Sequence, residues 1–548
     1  MIRTAILGAL SIGAGLTALV GCEMTTIFIE TASGGAGGAP TNSATSGGKG
    51  GALLCAPGAT QACYSGPAGT EGVGLCKAGT QTCAADGTNW GPCANEVLPQ
   101  PEDCATGVDE DCDGVAPSCE GALSWAKRFG DDDEQIGRAV AIDSAGNILI
   151  VGSFAGAIDF GAGPLSSAGM GDIFVTKLAP DGALLWTKRF GDASDEAAYA
   201  VAFDADDNVL VAGAFKGTID FGGLPLVSSG NNDVFVARLS PNGEHVWSRR
   251  FGDASSQVAY SVAADPGGDV LLLGDFRGTV DFGGGALVSV GASNANLFLL
   301  KLDVNGQHLW SKNLGIGSDL SVGGVAVDVN GDIAVAGGFS GILDLGGGPL
   351  ACAGGADVFV AKLDPAGTPL WAKHFGDKDD QNAYGVAIDA LGRVVVGGGF
   401  SGTVDFGGGV MASSGAGDAF VVMLDTAGGH LWSKRFGDAS EQAAYGVRMD
   451  ATGNVLLVGE ISGIVDFGGG PLASAGGEDA VAVKLDASGA HLWSKRLGGV
   501  SDDQAKAVAV DAMGNVVVTG YVRGDVDFGA GLLTGTSGRD VFVAKLSP

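Results

Sequence analysis

Leu431-Trp432-Ser433-Lys434-Arg435-Phe436-Gly437-Asp438 is the stretch whose reading decides the fold. Close copies of it place tryptophan at 125, 186, 247, 310, 371, 432 and 493, with five intervals of 61 residues and one of 63. A fixed period of that length is one supersecondary unit written repeatedly, here seven times. In the second copy, residues 198–203, 209–215, 233–239 and 246–251 read as strands. Asp204-Ala205-Asp206-Asp207-Asn208, a Gly/Ser-rich loop and Pro241-Asn242-Gly243 separate them. Runs bounded by turn residues in this way predict strands and hairpins, and no stretch has the length or period of a helix. Strands apolar on both faces, such as Val209–Ala214, predict sheets packed between two others.

Four antiparallel strands, seven times over, predict an all-β, seven-bladed β-propeller spanning residues 121–548. The last copy stops at Asp540–Pro548 without its tryptophan strand, and an extra one, Leu123–Phe129, precedes the first copy. The N-terminal strand is therefore expected to complete the last blade and close the ring, which removes open edges. An open β-solenoid is the rival, but its coils are shorter and it needs atypical caps. The repeats resemble the bacterial β-propeller repeat family over residues 121–548.

Recurrence inside one chain reports what every blade needs. The tryptophans are expected to be buried between blades, where each ring covers about 150–250 Å². Aspartates at 143, 204, 265, 328, 389, 450 and 511 are expected to bind the backbone N–H groups of the first hairpin turn. A second aspartate series stands at 159, 220, 281, 344, 405, 466 and 527. A third stands at 172, 233, 357, 418, 479 and 540, with Asn296 in the remaining copy. Lysine or arginine lies two residues after every tryptophan, and these bases in phase with the acids predict blade-to-blade ion pairs. The sharper alternative is an acidic ring that binds a cation at one end of the channel. His245, His308, His430 and His491 each precede a tryptophan by two and belong to the repeat, and Cys352 reads as a small buried residue. The fourth copy is read as the most divergent, through Leu314-Gly315-Ile316, Leu345 and two extra residues in the loop 283–296. Loops of this kind tend to carry binding.

Ahead of the repeats the composition changes. Residues 4–21 are uncharged and apolar and end in Leu19-Val20-Gly21-Cys22. This resembles the lipobox of bacterial lipoprotein signal peptides. The resemblance implies removal of 1–21, acylation of Cys22, a membrane partner reached through the lipid, and the outer membrane or cell surface as location. A membrane-spanning helix is the weaker reading, because the stretch is glycine-rich, short and lacks a stop-transfer flank. Residues 22–52 follow as a Gly/Ser-rich tether.

Eight cysteines, 55, 63, 76, 83, 93, 104, 112 and 119, lie in residues 53–120, where apolar residues are too sparse for a core. Four disulfides of open connectivity are expected, and zinc is disfavoured without a CxxC pair or a histidine. Asp109-Glu110-Asp111-Cys112-Asp113-Gly114 opens a calcium-loop spacing, with Asp109, Asp111, Asp113, the Val115 carbonyl and Glu120 as ligands. The same segment resembles the DxDCDG metal-binding motif of cysteine-rich bacterial surface proteins. The rival is a solvated acidic turn.

With 30 basic against 62 acidic residues the chain carries −32, which repels nucleic acid and favours cations. No Ser/His/Asp grouping, HExxH motif or phosphate-cradling loop is present in convincing form. The near-identical copies speak against an enzyme, because one catalytic site needs asymmetry. The expected function is a monomeric, lipid-anchored binding or adhesion module for a surface protein or glycan. An envelope scaffold comes second, and a propeller hydrolase or lyase third.

Overall fold

Each 61-residue period folds as one four-stranded antiparallel sheet, and seven such sheets make the ring. The computed structural model describes residues 54–100, 108–110, 112, 114, 120–290, 295–317, 320–529 and 531–548. Cys22, Cys104, Asp111, Asp113, Val115 and Cys119 lie outside the described residues. In blade 2 the strands run from the centre outward as Glu196–Phe203, Val209–Phe215, Asp233–Leu239 and His245–Phe251. The second and third strands are buried along their whole length, as their two-sided apolar pattern requires. Seven apolar clusters hold the ring, one between each pair of neighbouring blades.

The ring closes as expected. Leu123–Phe129 is the outer strand of blade 7, with Trp125 opposite Lys545 and Phe129 opposite Val541. The divergence assigned to a fourth copy is divided between two blades. Asn296 and Leu314 belong to blade 3, and Leu345 belongs to blade 4. The short strand Ile342–Asp344 adds to the outer edge of blade 3, where Ile342 pairs with Ile316.

Each tryptophan packs in one of the clusters between blades, as expected, with Trp247 and Trp493 buried and the other five half-buried. Their indole N–H groups also stitch blades together. Trp125, Trp186, Trp247, Trp371 and Trp432 each donate to a turn carbonyl of the next blade, at 2.9–3.1 Å. The base two residues further on reinforces this stitch. Lys127 reaches the Gly182 carbonyl and Arg249 those of Asn305 and Gly306. Lys188–Glu244 is the one blade-to-blade ion pair that these bases make among the described residues, and it is exposed.

The strong ion pairs lie inside blades. The third aspartate series pairs with the arginine three residues after tryptophan: Asp172–Arg189, Asp233–Arg250, Asp418–Arg435, Asp479–Arg496 and Asp540–Arg128. His374 takes that arginine's place beside Asp357. In blade 3 both members change, and Asn296 donates to Asn313 at 3.0 Å. The turn aspartates bind their own turns, as with Ala145 and Asn147 on Asp143, and also a base of the third strand, as with Lys177–Asp143 at 2.8 Å. Blade 5 has Met423 in that basic slot, and Arg393 supplies the cation to Asp389 from the turn itself, at 2.6 Å. The second series caps exposed turns, with Asp159 accepting from Gly161 and Gly163. Cys352 is half-buried, and its sulfur accepts the Gly341 N–H as Ser289 accepts that of Gly278.

Arg393→Ala should lower stability by an amount between the ~1 kcal/mol of an exposed pair and the ~3–5 kcal/mol of a buried one. Adding Met423→Lys should restore most of it. Urea midpoints of the two single variants and the double variant measure this. A double variant no more stable than Arg393→Ala would mean that the two positions do not substitute for each other.

Residues 54–71 and 77–98 form a small compact unit. It contains a two-stranded sheet, Thr60–Cys63 with Gly79–Thr82, and the disulfides Cys55–Cys83 and Cys63–Cys93. Residues 72–76 and those from Pro99 onward group with the propeller, and there Cys76 bonds Cys112.

Candidate functional site

Every innermost strand carries a β-bulge, where the register to the second strand slips by one residue. A bulge leaves its extra residue unpaired and re-aims the side chain. The bulged residues are Arg138, Tyr199, Tyr260, Gly323, Tyr384, Tyr445 and Lys506, and all seven line a central cavity of about 400 Å³. The fold needs a bulge here, but it does not dictate the side chain. The neighbouring position on the second strand varies likewise: Ser153, Ala214, Asp275, Gly338, Gly399, Glu460 and Tyr521. The side chains that vary at the bulge therefore gather around the central cavity.

The rings form two pairs tilted at 52°, Tyr199–Tyr260 at 5.2 Å and Tyr384–Tyr445 at 5.5 Å between centroids. Arg138 lies over Tyr199 at 4.9 Å and Lys506 over Tyr445 at 4.1 Å. Tyr445 donates to Glu460 at 2.7 Å, and the other oxygen of that buried carboxylate has no partner among the described residues. Burial, reinforced by Glu478 and Glu441, holds Glu460 above the usual carboxylate range against the pull of Lys506. Burial also depresses Lys506, and repulsion from Arg138 and Arg539 adds to it.

A second cavity of about 410 Å³ opens where blade 4 lacks side chains, lined by Asp275, Arg277, Ser321, Asp380, Asn382 and Tyr384. Gly338 makes room for Asn382, since a Cβ there would lie 2.0 Å from the amide oxygen. Burial raises the Asp275 carboxyl to about 6, with Arg277 opposing. An arrangement of this kind can hydrogen-bond and stack against a polar ligand. Among the described residues, no group of three histidine, cysteine or acidic side chains is placed to hold a metal.

Of the sequence-derived calcium ligands, Asp109 and Glu120 are described. Asp109 is buried, accepts the Gly114 N–H at 3.0 Å and leaves its second oxygen without a partner among the described residues, while Glu120 is exposed. The expected disulfides are present for six of the eight cysteines, and Cys104 and Cys119 lie outside the described residues. The four repeat histidines bond the serine three residues on, at 3.0–3.2 Å, so they serve the repeat. Reading for recurrence missed the channel wall. The signal was its opposite, the positions at which seven aligned copies disagree.

No family model matches the chain. An uncharacterized WD repeat-containing protein of Acanthamoeba polyphaga mimivirus is 23% identical over 502 residues, covering 74% of this chain and 36% of that protein. The chain thus spans about a third of that relative's length. Among solved structures, the Pan2 WD40 domain of Neurospora crassa has a TM-score of 0.40 at 12% identity and covers 79% of this chain and 97% of that one. Polysaccharide lyase Uly1 has a TM-score of 0.42 at 10% identity, covering 76% and 91%. The chain is a seven-bladed β-propeller of four-stranded blades with a disulfide-bonded region before it.

Proposed function

We propose that the protein is a non-catalytic binding module, anchored through lipid on Cys22 at the bacterial envelope, in the outer membrane or on the cell surface. Its partner is a surface protein or glycan held at the channel wall. One observation carries the reading. Side chains that the ring does not need, above all the four bulge tyrosines with Arg138 and Lys506, stand together around a single cavity. Packing explains what recurs, and binding explains what does not. Calcium belongs to the same proposal, held by Asp109, Asp111, Asp113, Val115 and Glu120. The bare oxygen of the buried Asp109 supports it, since an unpaired buried carboxylate oxygen is costly.

Pull-down of cell-surface material with the full-length protein in detergent, with and without millimolar calcium, tests the proposal. A partner should be retained by the native chain, lost on Tyr199→Ala plus Tyr384→Ala, and weakened by chelation. Equal retention by the variant would overturn the channel as the binding surface. No retention by either protein would leave the envelope scaffold as the better reading. Mass spectrometry should find diacylglycerol on Cys22, and its absence would remove the anchor.

A further inference from the structure

We propose that the central cavity takes an anionic sugar residue, with Arg138 and Lys506 on the acid group and the bulge tyrosines on the pyranose faces. The inference rests on reading the channel wall as a binding surface and names the ligand class. Arg138 spends one hydrogen bond on Ser153, at 3.3 Å, and Lys506 makes no hydrogen bond or ion pair among the described residues. Both cations rest on tyrosine rings rather than on carboxylates. That is notable in a chain with 62 acidic residues against 30 basic ones, where carboxylate partners abound.

The two cations also repel each other and Arg539 in a desolvated setting. None of this is a demand of the fold, because the same bulge position is tyrosine or glycine in the other five blades. Two cations held together, neither in ion-pair contact with a carboxylate among the described residues although Glu460 and Glu478 attract Lys506, offer an anion site, and the guanidinium fork matches a carboxylate or sulfate.

The rest of the wall selects among anions. The hydroxyls of Tyr199, Tyr260 and Tyr384 make no hydrogen bond among the described residues, so they are free for a ligand's hydroxyls. Their rings offer flat apolar faces to the C–H face of a sugar. A cavity of about 400 Å³ lies in the range of about 300–1,000 Å³ usual for small-molecule sites. Polynucleotides fit less well, since the net charge of −32 repels a long polyanion. Glu460 gives the site a signature. Burial already holds it above the usual carboxylate range, and an anion beside Lys506 raises it further, so binding near neutral pH takes up a proton.

Calorimetry on the full-length protein tests this with a galacturonic acid trimer, its methyl ester and a sulfated galactose trimer. At least one acidic trimer should bind, and the neutral ester at least tenfold more weakly. Whichever of carboxylate or sulfate binds more tightly identifies the acid group. Arg138→Ala and Lys506→Ala should each weaken the acidic ligand at least tenfold, and Lys506→Arg should recover most of the loss. Buffers of different ionisation enthalpy should reveal proton uptake in the native chain that is absent in Glu460→Gln. Failure of both acidic trimers, or equal binding of acid and ester, overturns the inference. If the tyrosine variant still loses the surface partner, the channel remains a binding surface and only the ligand class is wrong. If it retains that partner as well, both readings fall.

Discussion

Deleting residues 121–130 should leave a chain that no longer forms the ring. The segment supplies the whole outer strand of blade 7, with register pairs running from Leu123–Leu546 to Phe129–Val541. Its loss exposes the edge of Asp540–Leu546, a strand buried along its full length. It removes buried Phe129, a side chain worth about 1.5–3 kcal/mol. It also removes Arg128 from Asp540, whose side chain is 2% exposed, and stranding a buried carboxylate costs about 3–5 kcal/mol. The half-buried Trp125 and its stitch to Pro180 in blade 1 disappear as well. Together these losses approach the whole stability of an ordinary domain, about 5–15 kcal/mol. Near-ultraviolet circular dichroism and urea denaturation should show no cooperative transition. Pro548 stands where Pro180 and Pro241 begin the turn into an outer strand. Appending Asp-Gly-Ala followed by the sequence of 123–129 after Pro548 should therefore restore the transition. A deleted chain that melts like its parent would refute strand closure.

Closure was legible because it depends on counting. A tryptophan strand too many at one end and one too few at the other leave a single arrangement, and the structure has it. Partner choice within the repeat was less legible. Base and acid recur in phase at several offsets, so periodicity cannot say which pairs touch. The substitutions could have said so. Where Asp becomes Asn296, the arginine facing it becomes Asn313, and where the third-strand base becomes Met423, Arg393 appears beside Asp389. Such exchanges inside one chain mark contacts, because each keeps a buried polar group satisfied. The calcium loop was legible as spacing only. Asp109 and Glu120 are the described side chains of that spacing, and Asp111, Asp113 and Val115 lie outside the described residues. The channel wall escaped notice because recurring residues draw the eye, while the bulge exempts one residue per blade from the packing rule.

Another exempt-looking position leads to the second large effect: Glu196→Gln should stabilise the propeller above neutral pH and change little at pH 5. Gln135, Gln257, Gln381 and Gln442 occupy this slot in four other blades, all buried. Each amide oxygen accepts a backbone N–H, and each amide nitrogen donates to an aspartate at 2.6–2.9 Å. The nitrogen also donates to a carbonyl at 2.7–3.0 Å. Glu196 accepts the Asp192 N–H in the same way, but its other oxygen is buried without a partner among the described residues. Only the protonated acid can donate there. Burial, with repulsion from Asp192, Asp172 and Asp195, accordingly raises its pKa to about 8.

A carboxyl whose pKa is raised on folding contributes stability that is complete below its unfolded value of 4.5 and is lost as pH rises through about 8. Glutamine donates at every pH, so the variant does not share this loss. Asp503 occupies the same slot in blade 7 and is raised by burial to about 6, yet its two oxygens accept N–H groups from Gly499 and Arg523. Asp503→Asn should for that reason not reproduce the gain. Urea midpoints at pH 5, 7 and 9 should show native and Glu196→Gln proteins together at the lowest pH. They should diverge above it by about 1–3 kcal/mol, the usual cost of one unsatisfied buried group. A difference that stays constant with pH would mean that Glu196 is not the buried acid described here.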